Sequence, residues 1–288
     1  MATMLKKRKV RKSQSLEKNE QGKHRKLKPV PIVENNKKTF RLAGKVAVIT
    51  GADSGIGKAV ALMFAKEGAS LVLTYHKDHK DARETSRRVK ELGAHHVLLK
   101  GDVSNEEHCK RIIKSAIREF KKIDILINNA AVQFPQDKLS RITKGQIKRT
   151  FEVNVFSHFY LVKAAEKYLR KGASIIHSAS VTAYRGSKHL IDYAATKGAI
   201  VSLLRSLSSY FAPKGIRVNG VAPGPVWTPL IATTFKAKEV ATFGSNTPLG
   251  RAAQPVEIAY AYVFLGSDES SFITGQVIHP NGGEIINT

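Results

Sequence analysis

The stretch Lys45-Val-Ala-Val-Ile-Thr-Gly-Ala-Asp-Ser-Gly-Ile-Gly57 joins a short apolar run to a turn that contains three glycines. The apolar, β-branched run predicts a buried strand. Residues 58–67 then show helical spacing, which stops at Gly68. Glycines between a strand and a helix permit a tight turn and let the backbone approach a ligand closely. The helix would offer free amides and the positive end of its dipole to a pyrophosphate.

The alternation of strand and helix continues over residues 40–288. Because parallel strands joined by helices need right-handed crossovers, the pattern predicts an α/β, Rossmann-type doubly wound parallel sheet of about seven strands, with helices on both faces, in a single domain. Residues 223–251 are rich in Pro, Gly and Thr and predict a long loop with short helical pieces. The other predicted strands are 70–75, 96–100, 123–128, 173–177, 216–221 and 276–279, and the other predicted helices are 81–92, 106–120, 143–169, 192–210 and 255–265.

The composition restricts the class of protein. The 288 residues are 42% hydrophobic, which is enough for one large core. The single cysteine, Cys109, excludes a disulfide framework, favours a reducing, cytoplasmic compartment and is interpreted as a small core residue. Neither a secretory signal nor an apolar run of membrane-spanning length is recognised. Cysteine–histidine spacings typical of zinc are absent, so no metal site is expected.

Positive charge is the most unusual feature of the composition. The formal net charge is +25, and residues 1–39 contain 13 Lys and Arg against 3 Glu. This segment has no apolar periodicity and is predicted to be a basic, disordered N-terminal tail. Its cluster at residues 5–12 resembles a nuclear import signal, although a solvated charge run is the preferred interpretation. The charge favours nonspecific contact with polyanions at low salt.

Tyr193 and Lys197 lie four residues apart in a predicted helix, on one face and one turn from each other. An ammonium group beside a phenol favours the phenolate, so the tyrosine pKa is expected to be lowered from its usual value of about 10. Such a phenol can give or take a proton near neutral pH. A Tyr-x-x-x-Lys pair is also common on helix surfaces, so its meaning depends on the residues around it.

The end of the second predicted strand bears on which nucleotide would bind. A dinucleotide site specific for NAD is expected to have an acid about twenty residues after the glycine turn. This chain has Tyr75-His76-Lys77 there, and Lys77 could meet a 2′-phosphate, which favours NADP. Asp53 and Asp78 argue mildly for NAD, so both cofactors stay open. Asp102 ends the third strand, where it could accept from the adenine amino group or serve as an acid near a helix N-terminus.

Four features together resemble the short-chain dehydrogenase/reductase family. They are the motif Thr50-Gly-x-x-x-Gly-Ile-Gly57, the triplet Asn128-Asn129-Ala130, Ser180, and Tyr193-x-x-x-Lys197. Asn154 and Pro223-Gly224 match further positions of that family. Sequences around Ser180, Tyr193 and Pro223 are most similar to the bacterial branch typified by general stress protein 39. The resemblance covers roughly residues 40–288.

The resemblance implies a catalytic set. Tyr193 would be the general acid/base, and Lys197 would bind the nicotinamide ribose and depress the Tyr193 pKa. Ser180 would hold the substrate oxygen, and Asn154 would anchor a water that relays protons to Lys197. Ser178 is a rival for the serine role, because it points the same way on an extended segment and only the spacing to Tyr193 favours Ser180.

The resemblance also implies contacts with NADP or NAD. Asn128 and Ala130 would line the cofactor, and Thr228 would reach its carboxamide. Homologues in the family are commonly tetramers, which implies a homotetramer. The residues expected to contact the cofactor are Gly51, Asp53, Ser54, Gly55, Ile56, Gly57, Tyr75, Lys77, Asp102, Val103, Asn129, Ala130, Tyr193, Lys197, Pro223, Gly224, Val226 and Thr228.

The sequence therefore predicts an oxidoreductase that transfers a hydride between NAD(P)(H) and an alcohol or carbonyl substrate. Two alternatives come from other classes: a nucleotide-binding sensor or scaffold whose basic tail binds polyanions, and a nucleic-acid-binding protein driven by charge. A complete set of Ser180, Tyr193, Lys197 and Asn154 argues against a scaffold. The identity of the substrate cannot be read from the sequence.

Overall fold

A seven-stranded, wholly parallel sheet forms the centre of the protein, with the strand order β3-β2-β1-β4-β5-β6-β7. The computed structural model describes residues 40–229, 231 and 242–286. Because the order reverses between β1 and β4, the loops after these two strands diverge and leave a crevice at their carboxyl ends. The strands are β1 Val46–Ile49, β2 Ser70–Tyr75, β3 His96–Lys100, β4 Ile125–Asn128, β5 Ser174–Ser178, β6 Arg217–Val221 and β7 Val277–Ile278.

Helices cover both faces of the sheet and divide the core into two large apolar clusters. On one face, Phe64 and Tyr262 are fully buried against the sheet; on the other, Ile112 and Phe211 are. Burial of this apolar surface is the main stabilising term of such a fold. The helices are α1 Gly55–Lys66, α2 His79–Glu91, α3 Glu106–Phe120, α4 Lys144–Phe151, α5 Ser157–Ala165, α6 Thr182–Arg185, α7 Ile191–Phe211 and α8 Pro255–Gly266.

The predicted long helix 143–169 is interrupted. Between α4 and α5 the backbone forms a π-helical turn, Glu152–Phe156, and a 3-10 turn, Glu166–Tyr168, ends the run. Single π-helical turns within a helix are rare and occur frequently at functional sites. Asn154 is completely buried at the centre of this turn, so the irregularity lies where the sequence predicts a catalytic residue.

The fold class and the element order predicted from the sequence are confirmed. α6, which contains one turn, was not predicted. Only parts of the predicted loop 223–251 fall within the described residues, and an isolated bridge there pairs Val226 with Ala253. The predicted tail, residues 1–39, lies outside the described residues and its disorder stays a prediction. Within the described part of the chain, no helix has the length and apolarity needed to cross a membrane.

Candidate active site

A cleft of about 890 Å³ runs along the carboxyl edge of the sheet. It is lined by the segments that follow β1 to β6 and by the first turn of α7. Every residue predicted to contact a cofactor lines this cleft except Asn128, and Ser180 lines it as well. Asn154 and Asn128 do not line it; both are fully buried behind its wall. The expectation that Asn128 contacts the cofactor is therefore wrong, because its neighbour Asn129 takes the cleft position.

The glycine turn after β1 has the shape of a phosphate cradle. Gly51 and Gly55 adopt φ of +62° and +52°, in the left-handed region that favours glycine. A Cβ on Gly57 would lie 1.9 Å from the Gly51 carbonyl oxygen, so only glycine allows α1 to pack this closely against the turn. The Ser54 hydroxyl donates to Asp53 and does not cap α1. The first-turn amides of α1 consequently remain suited to an anionic group at the cleft.

Thr50 joins the turns after β1 and β4. Its Oγ1 accepts from the backbone N–H of Asn129 at 2.9 Å and of Ala130 at 3.1 Å. In return, the Asn129 amide donates to the carbonyl oxygens of Thr50 at 2.9 Å and Gly51 at 3.1 Å. These bonds fix the two walls of the crevice relative to each other. The sequence signal was the Thr-Gly dipeptide, whose hydroxyl could not be assigned a partner without the strand order.

The outer end of the cleft, near β2 and β3, contains both acids and cations. Burial opposes ionisation of Asp102, but hydrogen bonds from Ser104 and Arg149 outweigh it and lower the pKa of its carboxyl. Arg149 lies 2.8 Å from Asp102, and His76 lies 3.5 Å from it. Arg149 lines the cleft and was missed, because it lies on α4, far from Asp102 in the sequence.

Lys77 and Asp53 differ in their surroundings. Lys77 is exposed at the cleft and has no ion pair with any residue that the structure describes. Asp53 is partly buried, and this burial raises the pKa of its carboxyl. This end of the cleft therefore contains a lysine that has no ion pair among the described residues, together with a partly buried aspartate.

Tyr193 and Ser180 form a pair of hydroxyl groups in the cleft. Removal from water raises the pKa of Tyr193 to about 12, although a hydrogen bond with Ser180 works in the opposite direction. Burial likewise lowers the pKa of Lys197 to about 7. The Lys197 Nζ donates to the Ser178 carbonyl oxygen at 2.6 Å and lies 5.3 Å from the centre of the Tyr193 ring.

The expected lowering of the Tyr193 pKa is therefore wrong for the protein by itself. The sequence placed the ammonium and the phenol together, but it did not reveal that Lys197 is buried and Tyr193 half-buried. Desolvation disfavours the charged form of each group. In this structure the phenol of Tyr193 stays protonated and can donate its proton, and the pKa of Lys197 lies close to neutral pH.

The two candidate serines have different partners. The Ser178 hydroxyl is 2.6 Å from the Tyr262 hydroxyl and donates to Asn129 at 3.2 Å. Ser180 accepts from the backbone and the hydroxyl of Thr182, at 3.2 and 3.1 Å, and is paired with Tyr193. Ser178 is thus bound within the wall of the cleft, whereas the hydroxyl group that acts on the Tyr193 pKa is that of Ser180.

The side chain of Asn154 holds the loop after β4 in place through hydrogen bonds. Its Oδ1 accepts from the Val132 N–H at 2.8 Å, and its Nδ2 donates to the Val132 carbonyl at 2.9 Å and to Thr196 at 3.2 Å. The Thr196 hydroxyl in turn donates to the Tyr193 carbonyl at 2.6 Å. Asn154 therefore connects the loop after β4 to the helical turn that carries Tyr193.

Two buried histidines lie behind the site and were not anticipated. His158 on α5 and His177 on β5 are stacked with 5.0 Å between ring centres, and their Nδ1 atoms are 2.8 Å apart. Burial, together with the positive charge of Lys197, lowers the pKa of His177 to about 3, and that of His158 also falls well below its ordinary value. Both rings are therefore neutral near pH 7 and add no charge behind Lys197.

Other described features complete the site. Thr228 packs close to Gly55, opposite the glycine turn, and Trp227 meets Phe243 edge-on with 5.8 Å between ring centres. Within residues 40–229, 231 and 242–286, no group of three or more His, Cys, Asp or Glu is placed to hold a metal ion. Cys109 is buried and donates to the Val103 carbonyl oxygen, and burial raises the pKa of its thiol to about 12.

Comparison with known proteins gives the family of the chain. Residues 51–284 match the family model described as Enoyl-(Acyl carrier protein) reductase. General stress protein 39 of Bacillus subtilis (strain 168) is 48% identical over 260 residues, which cover 90% of this chain and 91% of that protein. NADPH-dependent aldehyde reductase 1, chloroplastic, of Arabidopsis thaliana is 48% identical over 254 residues, which cover 86% and 88%. The crystal structure of a short-chain glucose/ribitol dehydrogenase from Brucella melitensis matches with a TM-score of 0.77 and 36% identity, over 86% of this chain and 100% of that one.

The chain belongs to the short-chain dehydrogenase/reductase family and is an NAD(P)-dependent oxidoreductase. Its similarity to general stress protein 39 confirms the branch that the motifs predicted. The glycine cradle, the uncapped first turn of α1 and the length of the cleft fit a dinucleotide. Residues of the glycine turn would hold its phosphates, and Asn129 and Ala130 would line its path towards Tyr193.

The buried lysine predicts a pH-dependent stability. The unfolded chain keeps the Lys197 proton up to its ordinary pKa of 10.5, whereas the folded protein keeps it only up to about 7. Between these values the unfolded state binds more protons, so this lysine destabilises the fold at low pH and ceases to do so as the pH rises. We expect the Tm advantage of Lys197→Met over wild type to be larger at pH 6.5 than at pH 9.5.

The measurement is thermal unfolding of both proteins, without added nucleotide, at the two pH values. Loss of the hydrogen bond to Ser178 affects both measurements alike and cancels in the difference. The exposed Lys114 provides a control, since its ammonium stays in water and Lys114→Met should shift Tm equally at both values. A Tm difference for Lys197→Met that does not change with pH would contradict the assignment.

Proposed function

We propose that this protein interconverts an alcohol and a carbonyl compound, with Tyr193, Ser180, Lys197 and Asn154 as the catalytic set. One observation carries the proposal: two paired hydroxyl groups and a buried lysine share a single cleft with a glycine turn suited to a dinucleotide. A bound NAD(P)H supplies a hydride, and NAD(P)⁺ accepts one. The protein residues orient the substrate and handle the proton.

Two hydroxyl groups act on the substrate oxygen. When the carbonyl carbon is reduced, negative charge develops on its oxygen, and hydroxyl donors placed beforehand stabilise it. Tyr193 gives its proton to that oxygen, while Ser180 donates a hydrogen bond that keeps the carbonyl in place. Because the pKa of Tyr193 is raised to about 12, the phenol stays protonated near pH 7 and has a proton to give.

Lys197 and Asn154 support the tyrosine. After Tyr193 has given up its proton, the ammonium group of Lys197 stabilises the phenolate across the short distance between them. Asn154 positions the helical turn of Tyr193 through Thr196. Both amide hydrogens of Asn154 are engaged, so a water that relays protons to Lys197 would donate to its Oδ1, which accepts a single hydrogen bond from the described residues, or to a backbone carbonyl of the π-helical turn.

The substrate class is a small aldehyde, sugar or polyol. The names of two similar proteins, an aldehyde reductase and a glucose/ribitol dehydrogenase, support this range. A nucleotide-binding sensor or scaffold is not favoured, because such a protein needs neither the Ser180–Tyr193 pair nor a buried lysine beneath it.

The mechanism predicts the effect of three substitutions on reduction of a small aldehyde such as propanal with NADPH. Tyr193→Phe removes the proton donor and should lower kcat by at least about 10³-fold, and Ser180→Ala should lower it by about 10²-fold. Ser178→Ala alters a hydroxyl that contacts Tyr262 and Asn129, so it should affect kcat less than Ser180→Ala does. NADPH binding, followed by fluorescence, should persist in Tyr193→Phe. Near-normal turnover by that variant would contradict the proposed mechanism.

We propose NADP(H) as the preferred cofactor. The exposed Lys77 at the cleft can pair with a 2′-phosphate, and the name of the Arabidopsis relative includes NADPH dependence.

The cofactor proposal is tested by the Kd values for NADPH and NADH. We expect NADPH to bind more tightly and Lys77→Ala to weaken NADPH about tenfold while leaving NADH unchanged, because a charge-assisted contact is lost only with the phosphorylated cofactor. Lys80→Ala, which removes an exposed cation of α2 that does not line the cleft, is the matched control. Equal weakening of both cofactors in Lys77→Ala would show that the lysine does not discriminate between them.

We also propose a cytoplasmic homotetramer whose basic tail contacts polyanions nonspecifically. The family resemblance supports the tetramer, and Phe156 and Phe159 at the α5 segment are partly exposed in the single chain. The net charge of +25 supports the polyanion contact. Sedimentation of the full chain should give a tetramer mass, and binding to duplex DNA should collapse between low and high salt. A monomer in sedimentation would contradict the proposed tetramer. DNA binding that does not respond to salt would contradict the proposed nonspecific polyanion contact.

A further inference from the structure

One polar side chain of the cleft has no hydrogen-bond partner within the described part of the chain. Gln133 follows Val132 in the loop after β4 and lines the cleft with only 8% of its surface exposed. Its Nε2 atom is buried and has no hydrogen-bond partner among the residues that the structure describes. Leaving a buried amide donor unpaired costs stability, so such a group in a native protein needs an explanation.

The backbone on both sides of Gln133 is fixed. Asn154 binds both the N–H and the carbonyl of Val132, at 2.8 and 2.9 Å. On the other side, the Phe134 carbonyl accepts from Gln146 at 3.0 Å, and the Gln136 N–H donates to the His189 carbonyl at 2.9 Å. The loop is therefore held in place by groups other than the Gln133 amide, which remains available.

Nearby amides in the same region are already paired. The Gln136 side chain donates to Gln146 at 2.9 Å, and Gln146 donates to Asp192 at 3.1 Å. Asp192 also accepts from Thr150 at 2.6 Å, so α4, α7 and the loop share one network. Gln133 takes no part in this network and, unlike Gln136, lines the cleft. This contrast points to a ligand as its partner.

The position of Gln133 relates it to the reacting groups. Val132 is tied through Asn154 and Thr196 to the helical turn of Tyr193. Gln133, Ser180 and Tyr193 line the same cleft, so a substrate whose oxygen lies between the two hydroxyl groups shares that cleft with the Gln133 amide. An uncharged amide offers both a donor and an acceptor, which matches a hydroxyl group, whereas an alkyl group uses neither.

We propose that Gln133 binds a hydroxyl group on the carbon next to the reacting carbon, so that the site prefers α-hydroxy carbonyl compounds and their vicinal diols. This inference rests on the proposed function and deepens it by naming the residue that sets specificity. A site built to hydrogen-bond a hydroxyl discriminates against the analogue without it, because the amide is then left unpaired in the complex.

The test compares two substrates that differ by one hydroxyl group, 2-hydroxypropanal and propanal, with NADPH. The wild-type kcat/KM should favour 2-hydroxypropanal by about tenfold, the size expected of one hydrogen bond of this kind. Gln133→Met keeps the volume but removes the amide, so the ratio of the two kcat/KM values should fall to near one. Oxidation of 1,2-propanediol and 1-propanol should show the same loss of discrimination.

Gln136→Met is the matched control. It removes an amide of the same loop that is bound to Gln146 and does not line the cleft, so it should lower Tm and leave the substrate ratio unchanged. Should Gln133→Met fail to fold, Gln133→Asn, a shorter amide, gives the same comparison. It keeps the polar group but withdraws it from the hydroxyl, and it too should reduce the ratio.

Each outcome decides a different statement. Turnover of both aldehydes with a ratio that Gln133→Met leaves at the wild-type value overturns the inference alone and assigns Gln133 to an internal water. A wild-type protein that shows no preference between the aldehydes also overturns the inference. Failure of the wild type to turn over any of the four compounds overturns the proposed function and the inference together.

Discussion

The site depends on the hydroxyl group of Thr50, which accepts from the backbone of Asn129 and Ala130 where the strand order reverses. At this point the connections after β1 and β4 leave the ends of two paired strands in opposite directions. Hydrogen bonds in both directions link the two turns. With the crevice fixed, the glycine turn, the cleft wall and the loop that carries Gln133 all have defined positions.

A second constraint is the removal of water from the catalytic groups. Burial favours the neutral form of both groups: it raises the pKa of Tyr193 to about 12 and lowers the pKa of Lys197 to about 7. The neutral histidines behind them add no charge, and Lys197 is held by a carbonyl oxygen and not by a carboxylate. The protein therefore keeps Tyr193 protonated as a proton donor. The ratio of phenol to phenolate then depends on the charge of the bound ligands.

Local patterns in the sequence predicted most of the fold. Buried parallel strands such as Leu71–Leu73 read as continuous apolar runs, and glycines end the helices between them. The glycine turn and Tyr193 with Lys197 could be recognised for the same reason: their members are a few residues apart. The pairing of Asp102 with Arg149, and of Ser178 with Tyr262, could not be recognised, because each joins residues from distant elements. The π-helical turn at Asn154 also escaped, since a single inserted residue barely alters helical periodicity.

The sequence by itself determined the fold class, the family and the residue types of the site, because strand and helix periods, tight glycine turns and one-turn spacings are local properties of the chain. Only the tertiary structure decided the protonation preference of Tyr193, the choice of Ser180 over Ser178 as its partner, and the unpaired state of Gln133 among the described residues. Each of these depends on how much water and which partners surround a group once distant segments have packed, and burial of that kind has no signature in the order of the residues.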